Sequence, residues 1–440
     1  MSTSERPQPR RWLILSHAFN MDGRAASLTV TDKIAHLRAA GIEPIVLSAV
    51  TGMQDTAIEH HRILPWGPSA LRFDLRHAIA LRLGRGGAYR TLVLLVSIVL
   101  GLPMLLERLL VGLRSQWSWA LAAFARAAWL MRRGDIELVY TSGGAYSAHL
   151  AGWWLKRWLG ARWIVEVHDP LIFPGRPLRN RDERFQARLE GRICRSADLA
   201  WWFTDGALAA ARARHPVLGD RGIVVMPGAE PPVVRTEYRR GPHCVLGHFG
   251  SLSSIRSLAP FLQAMAQLLQ REPAWREVLR LEVYGGAIDP EARRLVDELG
   301  LAELVQPMGR LEHDPQSGLS GRQRVVQRMQ QVDALLMLHG DTAECPEYIP
   351  SKLYDYFWAR RPVLALTHQN PQLDALVREH QGVVAPTVDT PAAAQALREV
   401  LVRWRDHGLP DVSLPPVDVG QAVRRIVAAV DARQPALRKV

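Results

Sequence analysis

Short apolar runs alternate with amphipathic stretches along most of this chain, and no other feature limits its fold as much. Residues 12–17 (WLILSH) read as a strand, 20–24 (NMDGR) as a turn, 27–40 as an amphipathic helix and 41–48 (GIEPIVLS) as a second strand. Strand, helix and strand in that order make a βαβ unit, which requires parallel pairing. The pattern returns with strands at 136–140, 163–167, 199–203 and 223–226, and with a helix over 147–159 after the loop 141–144. Residues 227–242, rich in Pro and Arg, have no periodicity and read as an interdomain linker. Beyond them, strands at 245–250 and 279–284 enclose a helix over 258–270, and a last amphipathic helix covers 420–432. A chain of 440 residues has room for two domains that each bury a core. The expectation is an α/β protein with domains at 1–235 and 243–410 and a terminal helix within 415–440.

Residues 347–356 (EYIPSKLYDY) set two carboxylates, Glu347 and Asp355, eight positions apart around a Pro-Ser-Lys turn. Strands are expected at 332–338 and 362–366, with a helix over 352–360 capped by Ser351. The acids therefore flank a strand-to-helix turn. Open α/β sheets hold phosphorylated ligands at such places, because free N–H groups and the helix dipole both favour anions there. Two carboxylates beside that site would accept hydrogen bonds from sugar or ribose hydroxyls.

This segment resembles the nucleotide-sugar site of the retaining glycosyltransferases with the GT-B fold, family-4 type. In that family the acids are two glutamates with seven residues between them, the second in a Pro-Ser-Lys context followed by a strand like RPVLA; here Asp355 stands in place of the second. The resemblance covers most of the chain and is strongest over 246–366. It implies two facing Rossmann-like domains, the first binding the acceptor and the second the nucleotide sugar, with a C-terminal helix crossing back to the first. It also implies retention of anomeric configuration by front-face attack, with Asp355 on the ribose and Glu347 on a sugar hydroxyl. Arg256, in the segment GSLSSIRS, falls on the family's basic position, and with Lys352 and Ser351 of the Pro-Ser-Lys turn it would hold the diphosphate. Gly309 and Arg310 match a loop near the base, and Gly23 a backbone approach to the donor phosphate. His168 ends a strand where the family places a histidine on the donor sugar, and Asp169 would orient its ring or take the acceptor's proton.

No Asp-x-Asp pair occurs in the sequence, and no His/Cys group has zinc spacing, so no metal is expected; side chains and helix dipoles would neutralise the leaving diphosphate. A net charge of +12 calls for an anionic partner. The surroundings of residues 91–106 (TLVLLVSIVLGLPMLL) suggest which. This run carries no charge, is interrupted near its end by Gly101 and Pro103, and falls short of the ~20 residues a spanning helix needs. Arg76, Arg82, Arg85 and Arg90 precede it, Arg108, Arg114, Arg126, Arg132 and Arg133 follow it, and Trp117, Trp119 and Trp129 lie among the latter. Such borders suit an in-plane anchor on an anionic membrane, so an insert over about 72–133 is expected to dock there. A buried core helix is the competing reading.

Nucleic acid is not the expected partner, because these tryptophans border an aliphatic run instead of a polar basic face. Three scattered cysteines, Cys194, Cys244 and Cys345, point to a reducing compartment, and the polar start of the chain does not read as a secretory signal. The expectation is a metal-independent transferase, peripheral on the cytoplasmic face of the cell membrane. It would use a nucleoside-diphosphate sugar and a saccharide or polyprenyl-diphosphate-linked acceptor in bacterial surface-polysaccharide assembly. A sugar-nucleotide epimerase of the same fold and a catalytically silent scaffold are the alternatives.

Overall fold

A strand buried on both faces needs apolar side chains at every position, and the apolar runs of this chain meet that need twice. The computed structural model describes residues 10–21, 24–172, 174–175, 177–409, 411–412 and 416–433. The chain divides into two units, one made of Met1–Met226 with Val419–Val440, the other of Pro227–Asp418.

The first unit holds a seven-stranded parallel sheet. Its strands are β1 (Arg10–Leu15), β2 (Ile42–Ala49), β3 (Glu59–Ile63), β4 (Leu138–Ser142), β5 (Trp163–Val167), β6 (Leu199–Trp202) and β7 (Gly222–Val224), in the order β3-β2-β1-β4-β5-β6-β7. On one face Leu13, Leu15, Val139 and Val165 pack with Trp119 and the helix Tyr146–Leu159. On the other, Trp12, Ile14, Val46 and Tyr140 pack with Val419, Ala422, Val423, Ile426 and Val430 of the last helix, Val419–Asp431. The chain thus returns to its first unit to finish that core.

The second unit holds a six-stranded parallel sheet. It comprises β8 (Cys244–Phe249), β9 (Leu279–Tyr284), β10 (Val305–Gly309), β11 (Ala334–Leu338), β12 (Val363–Thr367) and β13 (Val383–Pro386), in the order β10-β9-β8-β11-β12-β13. In both sheets the order reverses beside the first strand, and ligands of open α/β sheets bind beyond the strand ends at that reversal.

Several expectations need correction. The boundary falls after Met226, not at 235, because the expected linker is stitched to the second unit. Thr236 N–H donates to Gln330 Oε1 at 3.1 Å, Gln330 Nε2 to Val234 O at 3.1 Å and Tyr238 O–H to Asp333. Trp358 Nε1–H reaches Ala229 O at 2.7 Å. Ser351 has helical dihedrals, and its side chain makes no capping bond.

The run 91–106 is not interrupted at Gly101 or Pro103: one helix, Gly87–Leu110, passes through both. A proline inside a helix costs one backbone bond and a clash, roughly 3 kcal/mol, and here the helix is held on either side of Pro103, at its middle and near its C-terminal end. Arg72 Nε–H donates to Ser97 Oγ at 2.8 Å, while Glu107 accepts from Ser69 N–H at 2.8 Å and from Trp117 Nε1–H at 2.6 Å. None of its residues is buried, so the core-helix reading does not apply. The tryptophans are not its border either. Trp119 lies at 0% exposure in the first unit's core, on the helix Trp119–Arg133, and Trp117 is tied to Glu107; Trp129, half-exposed, is flanked by the guanidiniums of Arg126 and Arg133 at 4.2 and 4.0 Å.

Candidate active site

In the second unit the reversal lies between β8 and β11, and the chain leaves β8, its neighbour β9 and β11 through close-packed glycine turns. Gly285, after β9, has φ +124°, and a Cβ there would lie 2.4 Å from Gly250 O. Gly340, after β11, has φ +99°, and its Cβ would lie 2.5 Å from Ile255 O. No larger residue lets these backbones approach so closely. The loop after β8 is closed by Ser253 N–H to Arg256 O at 3.2 Å and Arg256 N–H to Ser253 O at 2.9 Å. That tight turn presents Arg256, whose Nε is buried without a hydrogen-bond partner.

From the other side, Lys352 enters on the first turn of the helix Lys352–Ala359. Its Nζ is 3.5 Å from His248 Nε2 and would be 3.5 Å from a Cβ on Gly250. Burial and the charge of Arg256 push the Lys352 ammonium down to about 7 from 10.5. His248, fully buried on β8, is held well below its ordinary value, first by burial and then by Lys352. The structure therefore brings Arg256, Lys352 and Gly250 together at the reversal, with Arg256 close enough to oppose the charge on Lys352.

Glu347 lies in the loop between β11 and that helix and is 6% exposed. Its loop is fixed from behind: His368 N–H donates to His339 Nδ1 at 3.4 Å, so His339 Nε2 carries the proton and donates to Tyr348 O at 3.0 Å. Burial lowers His339 to about 4, which keeps that neutral tautomer. Asn370 Nδ2 adds bonds to Cys345 O at 2.8 Å and Tyr348 O at 2.9 Å. Asp355, on the same helix as Lys352, is partly exposed and has Arg322 Nη2 at 4.0 Å. Ser351 is exposed at the helix start, and Gly309 and Arg310 lie exposed at the end of β10, the edge strand of this sheet.

The remaining candidates belong to the first unit. His168 follows β5 and stacks on Phe203, with ring centroids 5.1 Å apart. Asp169 does not orient it: that carboxylate is exposed, and the ring is held instead by Ser142 Oγ, 2.8 Å from Nε2. Gly23 lies outside the described residues. Sequence reasoning missed His248, His339, Asn370, Arg322 and Ser142. A polar residue inside an apolar run, such as His248 in VLGHFG, was the one signal available for any of them.

No family model matches the chain, and no curated protein matches it. Solved structures do. The sucrose-phosphate synthase from Thermosynechococcus elongatus aligns over 96% of each chain at TM-score 0.57 and 14% identity. The chain has the GT-B fold. The lipopolysaccharide outer core galactosyltransferase WaaB aligns over 96% of this chain and 100% of its own, at TM-score 0.54 and 13% identity. WaaG, a glycosyltransferase involved in lipopolysaccharide biosynthesis, aligns over 96% and 94%, at 0.53 and 14%. GT-B here describes two parallel-sheet Rossmann-like units in one chain, with the last helix returned to the first.

Proposed function

We propose that this GT-B chain is a glycosyltransferase that moves a sugar from a nucleoside-diphosphate sugar to an acceptor hydroxyl. The observation that carries the reading is the meeting of Arg256 and Lys352 over the Gly250 turn. A buried ammonium whose charge is opposed by burial and by a neighbouring guanidinium gains most from a dianionic ligand, and a diphosphate supplies one. Glu347 then accepts from a sugar hydroxyl, Asp355 from the ribose, with Ser351 at the helix start beside the phosphates and Gly309 and Arg310 toward the base. The two cations stabilise the leaving diphosphate without a metal. Retention follows from the family resemblance: the donor's phosphate oxygen takes the acceptor's proton as the acceptor attacks the same face, and no protein nucleophile is required. The named activities of WaaB and WaaG support a surface-polysaccharide acceptor.

The exposed helix Gly87–Leu110 supports a lipid-linked acceptor and a peripheral place on the cytoplasmic membrane face. At 1.5 Å per residue it is about 36 Å long, and it is long and apolar enough to cross a membrane. Its tie to the helix Pro68–Leu83 through Arg72 and Ser69 favours lying in the interface instead. Val99, Leu102 and Leu110 are 73%, 67% and 77% exposed, and a patch of that kind beyond about a few hundred Å² marks an interaction surface. The test is a panel of nucleotide sugars screened for thermal stabilisation, followed by transfer assays with lipid-linked acceptors. Stabilisation by one nucleoside diphosphate and its sugar is expected. No stabilisation by any member would overturn the assignment.

A further inference from the structure

A fully buried ion pair sits beneath His168, where a Rossmann-like core has no structural need of one. Glu166 on β5 and Lys33 on the helix Lys33–Ala39 are at 0% and 1% exposure, with Nζ 2.7 Å from Oε1. Desolvation opposes the charge on Glu166, yet the Lys33 ammonium, with His168 beyond it, holds the carboxyl well below its usual range. The carboxylate also accepts from Tyr140 O–H, from Trp201 Nε1–H at 3.3 Å and from Ser142 O–H at 2.9 Å. Lys33 is anchored in turn on Thr29 O at 2.6 Å.

Proton bookkeeping decides the rest. Ser142 has one hydroxyl proton, and it goes to Glu166 Oε2. At 2.8 Å from His168 Nε2, the same oxygen can only accept, so Nε2 must carry the ring proton. In that tautomer Nδ1 is the unprotonated nitrogen, and no hydrogen bond to it occurs among the described residues. We infer that Lys33, Glu166 and Ser142 form a positioning network that fixes His168 as the Nε2–H tautomer, so that its Nδ1 lone pair receives a substrate hydroxyl and not a phosphate oxygen. A phosphate would meet a lone pair there; a hydroxyl meets its acceptor. The inference rests on the transferase reading for its substrate, while the tautomer stands independently of it.

The test labels the imidazole nitrogens with ¹⁵N in the full chain and reads the tautomer near neutral pH, with His168→Gln used to identify the His168 signals. The wild type is expected to show a single Nε2–H tautomer. Ser142→Ala, which leaves the Lys33–Glu166 pair whole, is expected to give a mixture of tautomers and a fall of about tenfold or more in turnover, with nucleoside-diphosphate affinity unchanged. An Nδ1–H tautomer in the wild type, or an unchanged spectrum in Ser142→Ala, would overturn the network. If the tautomer is as expected but no nucleotide sugar is turned over, the transferase reading fails and the network does not.

Discussion

Lys352 is the residue whose chemistry makes the sharpest demand. Its ammonium sits at about 7 in the folded protein against 10.5 in the free side chain, so between those values the unfolded chain binds the extra proton. Stability linked to this group therefore rises with pH across that window. On the proposed reading a bound diphosphate would reverse the preference and recharge the amine. Near pH 8.5, calorimetry in buffers of different ionisation enthalpy should register uptake of close to one proton on nucleoside-diphosphate binding. Affinity should weaken as pH climbs past 7, and Lys352→Met should abolish the uptake. On the proposed reading the acids accept from hydroxyls, so Glu347→Gln and Asp355→Asn should each lower kcat/KM by roughly ten- to hundredfold, the equivalent of ~1.5–3 kcal/mol for a hydrogen bond to a charged group. Unaltered melting temperatures should accompany the loss. Arg256→Ala should weaken binding of both donor and product, and equal product affinity in mutant and wild type would move the phosphate site elsewhere. That Arg256 and Lys352 lie near each other was legible because each sits in a turn whose residues are contiguous in sequence. Ser142 and His339 were not, since their partners Glu166 and His368 lie on other strands and loops, and no local pattern encodes such pairings.

At the scale of elements, legibility followed burial. A strand buried on both faces, such as β11, advertises itself as an unbroken apolar run, and β5 does so but for Glu166. β3, with the sequence EHHRI, sits at the sheet edge and lacks that signature; β13 is a four-residue edge strand ending in proline. The helix Gly87–Leu110 was read short because Gly101 and Pro103 weaken a helix locally, whereas its outcome was set by contacts at Ser97 and Glu107 that sequence does not display. Its surface carries the membrane expectation. The purified protein should sediment with vesicles containing anionic lipid more than with neutral ones, and salt should release it. Arg82, Arg85 and Arg90 changed together to Glu should reduce that binding, each basic residue near an anionic surface being worth about 1 kcal/mol. Substituting Leu94, Ile98 and Leu102 by Ser should lower binding to neutral vesicles too, because these side chains are 60%, 66% and 67% exposed and supply the apolar part. Donor binding should persist in both variants. Failure of the wild type to associate with either vesicle would remove the support for a lipid-linked acceptor.

For the whole molecule, turnover should survive exhaustive chelation, since the proposed site neutralises the diphosphate with Arg256 and Lys352. Loss of activity restored by magnesium or manganese would contradict that. The two-unit division was visible in the alternation of strands and helices, but the boundary was misplaced because composition marks a linker and says nothing of what the linker touches. Its first residues are tied down, Ala229 N–H donating to Val417 O at 3.1 Å beside the bridge from Ala229 to Asp418. The chain thus leaves the first unit and re-enters it through neighbouring segments, and the whole of Pro227–Asp418 is made between those points. On the ribosome this fixes an order of events. The first unit emerges early but lacks Val419, Ala422, Val423, Ile426 and Val430 until the whole second unit has been made, a delay of roughly 10–40 s at ~5–20 residues per second. Throughout that interval one face of its sheet is only partly covered, by Val30, Ile34 and Leu37, while the second unit is a continuous segment able to fold as it appears. A chain stopped at Asp418 should therefore yield a folded second unit on an aggregation-prone first one, so this protein's vulnerability to premature termination lies in a helix remote in sequence from the core it completes.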